Sequence, residues 1–466
     1  MLFNSYIFVV VFLPLVLAAW WLLAKWPQVR LGVLVASSYV FYGWWHWEFT
    51  FLLLASTLID YYVGLGIQRA TSKRNKGWLL SISLISNLGL LGYFKYCGFF
   101  AQSLNGVLEA LRFGTPINVP EIILPVGISF YTFQTLTYSI DLYRGQVQPA
   151  KSLMHFAAYV SMFPQLIAGP IVRYSDVETQ MQDLSRTPDW SSISRGIWFF
   201  VIGMSQKILV ADTVAKVAVP LLAEPESLQL ISGWAALIAY TIQLYFDFAG
   251  YSNMAIGLGL FLGFSFPQNF DSPYQATSIQ NFWRRWHMTL SSFLRDYLYI
   301  PLGGNRFGKA LSYRNLILVM LLGGFWHGAG WTFILWGVLH GSLLVGNGLY
   351  RDCIRIPVPK FIAIAITFFL VMMGWLLFRS TDIAMARLWY AAIFGLNGIE
   401  SDFGRPILLS GNFLLSMAAL VFCWLAPNTW NYRPKLTLGT AMVLSALFVV
   451  CVLRFDADSP FLYFQF

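Results

Sequence analysis

Residues 6–24 read YIFVVVFLPLVLAAWWLLA, without a single charge. As a helix rising 1.5 Å per residue, this stretch spans about 28 Å, close to the roughly 30 Å hydrocarbon core of a bilayer. Apolar runs of this kind recur along the chain: FTFLLLASTLIDYYVGLGI, LLSISLISNLGLLGYF, WAALIAYTIQLYFDFAG, FIAIAITFFLVMMGWLLF and AMVLSALFVVCVLRF. The 466 residues are 58% hydrophobic and 11% charged, whereas soluble domains carry about 25% charge. These observations predict an all-α polytopic membrane protein with roughly ten to thirteen embedded helices.

Two shorter runs, ILPVGISFYTF and FPQLIAGPIV, are broken by Gly and Pro. In hydrocarbon such backbone needs protein or a water-lined cavity around it, so a polar interior is expected. No soluble domain, low-complexity tract or internal repeat interrupts the chain. The longest polar stretches, around 101–121, 173–192 and 395–411, are loop-sized, and residues 1–466 read as one membrane domain. Cys97, Cys353, Cys423 and Cys451 lie in or beside apolar segments without metal-like spacing and read as core residues.

The net charge of +9 would suggest nucleic-acid binding in a soluble protein. In a membrane protein it marks cytoplasmic loops and contact with anionic lipid, and no nucleic-acid partner is expected. Lys25 and Arg30 follow the first span and no basic residue precedes it, which places the N-terminus outside. The basic loop RATSKRNK at 69–76 falls two spans later and agrees. No A-x-A-like cleavage site follows the first segment, so it reads as a retained span.

Five histidines occur. His46, in GWWHWEF, and His155, which opens a segment after Lys151, read as interfacial. His340, in GVLHG near an expected helix terminus, reads as structural. His327 differs: it ends the apolar run LILVMLLGGFWH among Gly323, Gly324, Gly328 and Gly330. Glycines admit a close backbone or ligand, and an ionisable group at membrane depth is a functional candidate. From this stretch alone, catalysis and hydrogen-bonded packing are equally good readings.

A second histidine segment, NFWRRWHMTLSSFLRDYLYIPLGGNR at 281–306, decides between them. On a continuous helix His287, Ser291 and Arg295 would fall at i, i+4 and i+8 and share a polar face. Trp283, Trp286, Phe293 and Tyr297 accompany them, which suits an interfacial or re-entrant helix. Arg284, Arg285, Arg295, Arg306, Lys309 and Arg314 oppose only Asp296 here. They predict a cytoplasmic face, and such a basic mouth also suits an anionic, nucleotide-bearing donor. Tyr131, Gln134, Tyr138 and Asp141 form a second polar stripe, and Tyr245, Asp247, Tyr251, Ser252 and Asn253 a third cluster. Each taken alone reads as interhelical hydrogen bonding, about 0.6–2 kcal/mol per contact.

The two histidine segments together resemble the paired signature of the membrane-bound O-acyltransferases. The likeness extends to LPVGISFYTFQTLTYSIDLYRG, FPQLIAGPI, QLYFDFAGYSNMAIGLGL and the terminal PFLYFQF, and favours the alginate O-acetyltransferase branch of exopolysaccharide acetylation proteins. It implies a ring of helices around a thin centre crossed by a tunnel. His327 would be the principal catalytic histidine and His287 the second. Trp283, Ser291, Arg295, Trp326, Tyr131 and Gln134 are the expected substrate contacts, with Ser291 backing His287. The resemblance further implies acetyl-CoA as donor with no bound cofactor or metal, a periplasmic acetyltransferase partner, an exopolysaccharide as final acceptor, and an inner-membrane location. Three alternatives remain: D-alanyl transfer to cell-wall polymers, a transporter whose intramembrane Asp60, Asp141 and Asp247 line a pathway, and a purely structural membrane subunit whose histidines only join helices.

Overall fold

The first apolar stretch is helical from Ile7 to Leu22 in the computed structural model. It stops there because Pro27 opens the next helix and forces Trp26 out of the helical region (φ −121°, ψ 79°). The structure describes residues 1–114, 116–184, 189–354, 356–399, 404–432, 435, 437–455, 459 and 461–462. All regular elements among them are helical. Among the described residues five helices are long and apolar enough to cross a membrane: Phe49–Arg69, Lys73–Ala110, Trp190–Ala223, Trp331–Ile354 and Lys360–Arg379. Ile7–Leu22, Ile383–Ile393, Gly411–Leu425 and Leu438–Leu453 are apolar but shorter. The protein is a multi-pass membrane protein.

All three stretches expected to be loops carry helix, at Cys97–Ala110, Tyr174–Gln182 and Gly404–Leu408. The first continues an apolar helix past the point where polar residues begin. Within the third, residues 400–403 lie outside the described set.

The chain forms two compact units. The first comprises 1–200 and 254–267, the second 201–253 and 268–466. In the first, α1 (Phe49–Arg69), α2 (Lys73–Leu91) and α3 (Ile128–Arg144) pack around Asp60, which is fully buried. Its carboxylate accepts from Ser83 Oγ, from Asn87 Nδ2 at 2.7 Å and from Ser139 Oγ at 2.9 Å. One acid thereby ties three helices together, which is a structural use of a buried charge rather than a pathway. Ser72 starts α2 by accepting the Asn75 N–H at 3.1 Å, an N-cap. Gly127 precedes α3 with φ 79°, and a Cβ there would stand 2.7 Å from Leu166 O. Arg30, expected as a loop charge, is buried instead. Its guanidinium lies 3.9 Å from the Trp20 ring centroid and donates to Leu184 O, so it is a packed cation–π partner.

In the second unit the polar cluster around 245–253 does not interrupt a helix. It lies within α4 (Leu230–Phe261), because its side chains find partners off the helix. Asp247 pairs with Lys207 at 2.6 Å and accepts the Leu462 N–H at 2.9 Å. Lys207 also reaches Asp212 at 2.7 Å and Ser459 Oγ at 3.1 Å. Phe461 stacks on Tyr251 with ring centroids 4.7 Å apart. The rest of the PFLYFQF terminus, Pro460 and residues 463–466, lies outside the described residues. Downstream come α5 (Met288–Leu294), α6 (Lys309–His327), α7 (Trp331–Leu349) and α8 (Lys360–Arg379).

The α6–α7 hairpin explains the glycines around His327. A Cβ on Gly324 would stand 2.3 Å from Phe333 O, one on Gly337 2.5 Å from Met320 O, and one on Gly328 2.0 Å from the Phe333 ring. These glycines let two helices and their turn touch; of the two expected uses, close backbone and close ligand, the structure shows the first. The cysteines divide: Cys423 and Cys451 are buried, whereas Cys353 is exposed.

Candidate active site

His327 is the last residue of α6, held by the hairpin at 4% exposure. Rings enclose it: Trp326 at 4.9 Å, Trp336 at 5.1 Å and Phe378 at 5.2 Å between centroids. A void of about 10 Å³ opens beside it, lined by Leu244, Phe248, Trp286, His327, Trp336, Trp375 and Phe378. That is room for about one water-sized group.

His287 does not sit on a continuous helix. A helix at Ile279–Trp283 ends, the chain turns, and His287 takes left-handed backbone (φ 42°, ψ 56°) as the residue before α5. Such a conformation costs a non-glycine residue about 1–3 kcal/mol and persists only where surroundings impose it. Here they do: Nδ1 lies 3.0 Å from Asn269 Oδ1. The same oxygen accepts from Thr289 Oγ1 at 2.9 Å and Thr289 N–H at 3.4 Å, while Asn269 Nδ2 donates to Ser252 Oγ at 3.1 Å. With its oxygen facing the ring, Asn269 can only accept, so the imidazole proton sits on Nδ1 and the lone pair on Nε2. Among the described residues Nε2 has no hydrogen-bond partner.

The two histidines share one aromatic enclosure. The Trp326 ring lies 6.4 Å from His287 and 4.9 Å from His327. Phe248 stands edge-on to His287 at 4.7 Å and also lines the His327 void. Trp326 therefore neighbours both imidazoles.

Ser291 donates its N–H to His287 O at 3.0 Å, but among the described residues its hydroxyl makes no hydrogen bond to the His287 ring. The turn before α5 sends Ser291 to the wall of a cavity of about 600 Å³, its Oγ donating to Trp286 O at 3.3 Å. Trp283, Arg284 and Arg295 line the same cavity, joined by Tyr299, Asn305, Ser312, Tyr313, Asn347 and Arg351. Its volume suits a small-molecule ligand. Of the six expected cations, Arg284 and Arg295 reach it. Arg295 pairs with Asp296 at 2.6 Å, Lys309 with Asp352 at 3.0 Å, and Arg285 turns to Asp271 at 3.8 Å. Tyr131 and Gln134 belong to the first unit, where both are buried in α3.

Sequence reasoning missed Asn269, Thr289, Arg351, Trp336, Trp375 and Phe378. Trp336 had a signal: Thr332, Trp336 and His340 recur every four residues along α7, the spacing of one buried helix face. Asn269, in a loop, had none. His340 is also not near a helix terminus but in the middle of α7, fully buried.

The model of the membrane-bound O-acyltransferase family matches residues 44–386. A Pseudomonas putida protein named "Probable alginate O-acetylase AlgI" is 40% identical over the whole of both chains. A peptidoglycan O-acetyltransferase of Helicobacter pylori is 40% identical over 86% of this chain and 81% of its own. A teichoic acid D-alanyltransferase of Bacillus subtilis is 26% identical over 62% of this chain and 78% of its own. Paired buried histidines beside a cation-edged cavity accord with these matches: the chain belongs to the membrane-bound O-acyltransferase family and is an O-acyltransferase.

Proposed function

We propose that this enzyme takes acetyl groups from cytosolic acetyl-CoA and passes them across the inner membrane, through a periplasmic partner, to an exported polysaccharide. Acetyl transfer is favoured over D-alanyl transfer by the similarity. The acetylating relatives are 40% identical over most or all of their length, the D-alanylating one 26% over less. In this reading roughly ten to thirteen embedded helices ring a thin centre with a tunnel, and the N-terminus is periplasmic.

The observation that carries the reading is the 600 Å³ cavity with Arg284, Arg295 and Arg351 on its wall, next to the ring-lined void at His327. Guanidinium groups suit phosphates, and a dry enclosure protects a thioester from hydrolysis. His327 takes the proton of the acceptor hydroxyl, the oxygen attacks the thioester carbonyl, and the carbon–sulfur bond breaks to release CoA thiolate, which recovers the proton. His287, through Nε2, orients the hydroxyl. An acetyl-histidine on His327 is the covalent variant. The locked Nδ1 proton of His287 favours one second reading, in which His287 is the base and His327 the orienter.

The test is transfer of labelled acetyl from acetyl-CoA by purified protein in bilayers. We expect donor consumption that needs His327 and access from the cytoplasmic face only. Absence of consumption, or equal use of donor supplied from outside sealed, oriented vesicles, would overturn the proposal.

A further inference from the structure

One layer of rings separates the cavity from the void at His327. Trp283 lines the cavity and Trp336 the void, and their ring centroids are 5.7 Å apart. His340 completes the layer, 5.2 Å from Trp283 and 4.7 Å from Trp336. An inert wall would be built of Phe and Leu. This one carries Trp283 Nε1, Trp336 Nε1 and both His340 ring nitrogens, none with a hydrogen-bond partner among the described residues. His340 is 0% exposed, Trp336 1% and Trp283 8%. Each such buried group destabilises the fold while it stays unsatisfied.

The nitrogens also share a direction. A Cβ on Gly374 would stand 2.7 Å from His340 Nε2 and 3.4 Å from Trp336 Nε1. Both atoms face the bare Cα of Gly374, where α8 passes α7. Trp336 and His340, four residues apart on α7, present their nitrogens along one helix face.

We propose that Trp283, Trp336 and His340 form a polar subsite for the amide-bearing arm of the acyl donor. The inference rests on the reading that the donor is acetyl-CoA. When the acetyl group occupies the void at His327, the arm behind the sulfur lies across this layer. The first polar group on that arm, after a two-carbon spacer, is an amide. Its carbonyl oxygen accepts from Trp336 Nε1–H and from the His340 imidazole, and the layer opens as the arm enters. No bond is made or broken there; the subsite sets how far the thioester advances towards His327.

The experiment compares acetyl-CoA with S-ethyl thioacetate, which has the same thioester and no amide, on full-length protein in bilayers. His340→Phe and Trp336→Phe keep a ring and remove the polar nitrogen. We expect His340→Phe to raise the KM for acetyl-CoA about tenfold, with kcat within about twofold and turnover of S-ethyl thioacetate unchanged, and Trp336→Phe, which also borders the void at His327, to penalise acetyl-CoA about tenfold more than S-ethyl thioacetate. Equilibrium binding of CoA itself should weaken in parallel, which gives a readout if one variant folds poorly. Equal losses with both donors would show a merely structural layer, and unchanged acetyl-CoA kinetics would show buried groups that never meet the donor; either result overturns the subsite. A wild-type protein that consumes no acetyl-CoA would remove the donor reading and the subsite with it.

Discussion

Asn269 holds its amide oxygen 3.0 Å from Nδ1 of His287, and three further hydrogen bonds through Thr289 and Ser252 prevent that amide from turning over. The arrangement dictates which imidazole nitrogen carries the proton. Asn269→Leu should therefore lower kcat about 30–100-fold, since His287 loses its tautomer and orientation. The loss in stability should be about 1–3 kcal/mol. Steady-state kinetics beside thermal unfolding in detergent would show both. Full activity in a folded Asn269→Leu protein would remove Asn269 from the site.

His327→Gln should yield a folded, monodisperse and inactive protein. The amide keeps hydrogen-bonding capacity but cannot accept a proton near neutral pH. If His327 only packs, Gln would be tolerated, at about 1–2 kcal/mol for one membrane hydrogen bond, and His327→Leu would harm folding instead. Robust acetyl transfer by His327→Gln would move the base to His287.

The cavity cations separate by role. Arg284→Ala and Arg351→Ala should each raise the KM for acetyl-CoA about three- to tenfold, more at low salt. Arg306→Ala should leave it unchanged, because Arg306 is exposed and does not line the cavity. Equal effects of all three on protein yield, with KM constant, would reduce the basic stretch to a topology signal.

Helix packing at the hairpin has its own test. Gly337→Ala places a methyl 2.5 Å from Met320 O, whereas Gly346→Ala meets nothing within 4 Å. We expect the first to lower the melting temperature and cut activity more than tenfold by displacing His327. The second should be neutral, and similar behaviour of the two would contradict the close contact.

Acyl size should be limited by the same enclosure. The void beside His327 holds about one water-sized group, so butyryl-CoA should be used at least about tenfold less well than acetyl-CoA. Phe378→Ala should narrow that gap. A wild-type enzyme indifferent to chain length would mean that the aromatic walls yield freely.

Much of this was legible in the residues. Apolar length and the scarcity of charge pointed to the membrane class, and FWRRWH with FWHGAGW pointed to the family and to the two histidines proposed here for the site. What escaped were contacts whose partners are remote or whose local signal points elsewhere. RRWH contains no Gly or Pro, so nothing marks the break that lifts His287 off a continuous helix and sends Ser291 to the cavity. Arg30 reads as a loop charge, because cation–π stacking on Trp20 depends on a neighbouring helix. The glycines near His327 leave backbone and ligand approach equally open in the sequence, because close approach to a ligand and to another helix call for the same residue.

The link from Asp247 to Leu462 joins positions 215 residues apart. Synthesis runs from N- to C-terminus, so Lys207 and Asp247 meet long before the last hydrogen-bond donor to that carboxylate exists. Closing so long a loop is entropically costly and comes late. The aromatic contact of Phe461 with Tyr251 arrives by the same tether. Assembly around α4 thus waits on a segment 215 residues further along the chain, and a protein lacking Phe461 and Leu462 would keep its histidines but not the finished setting of the helix that frames them.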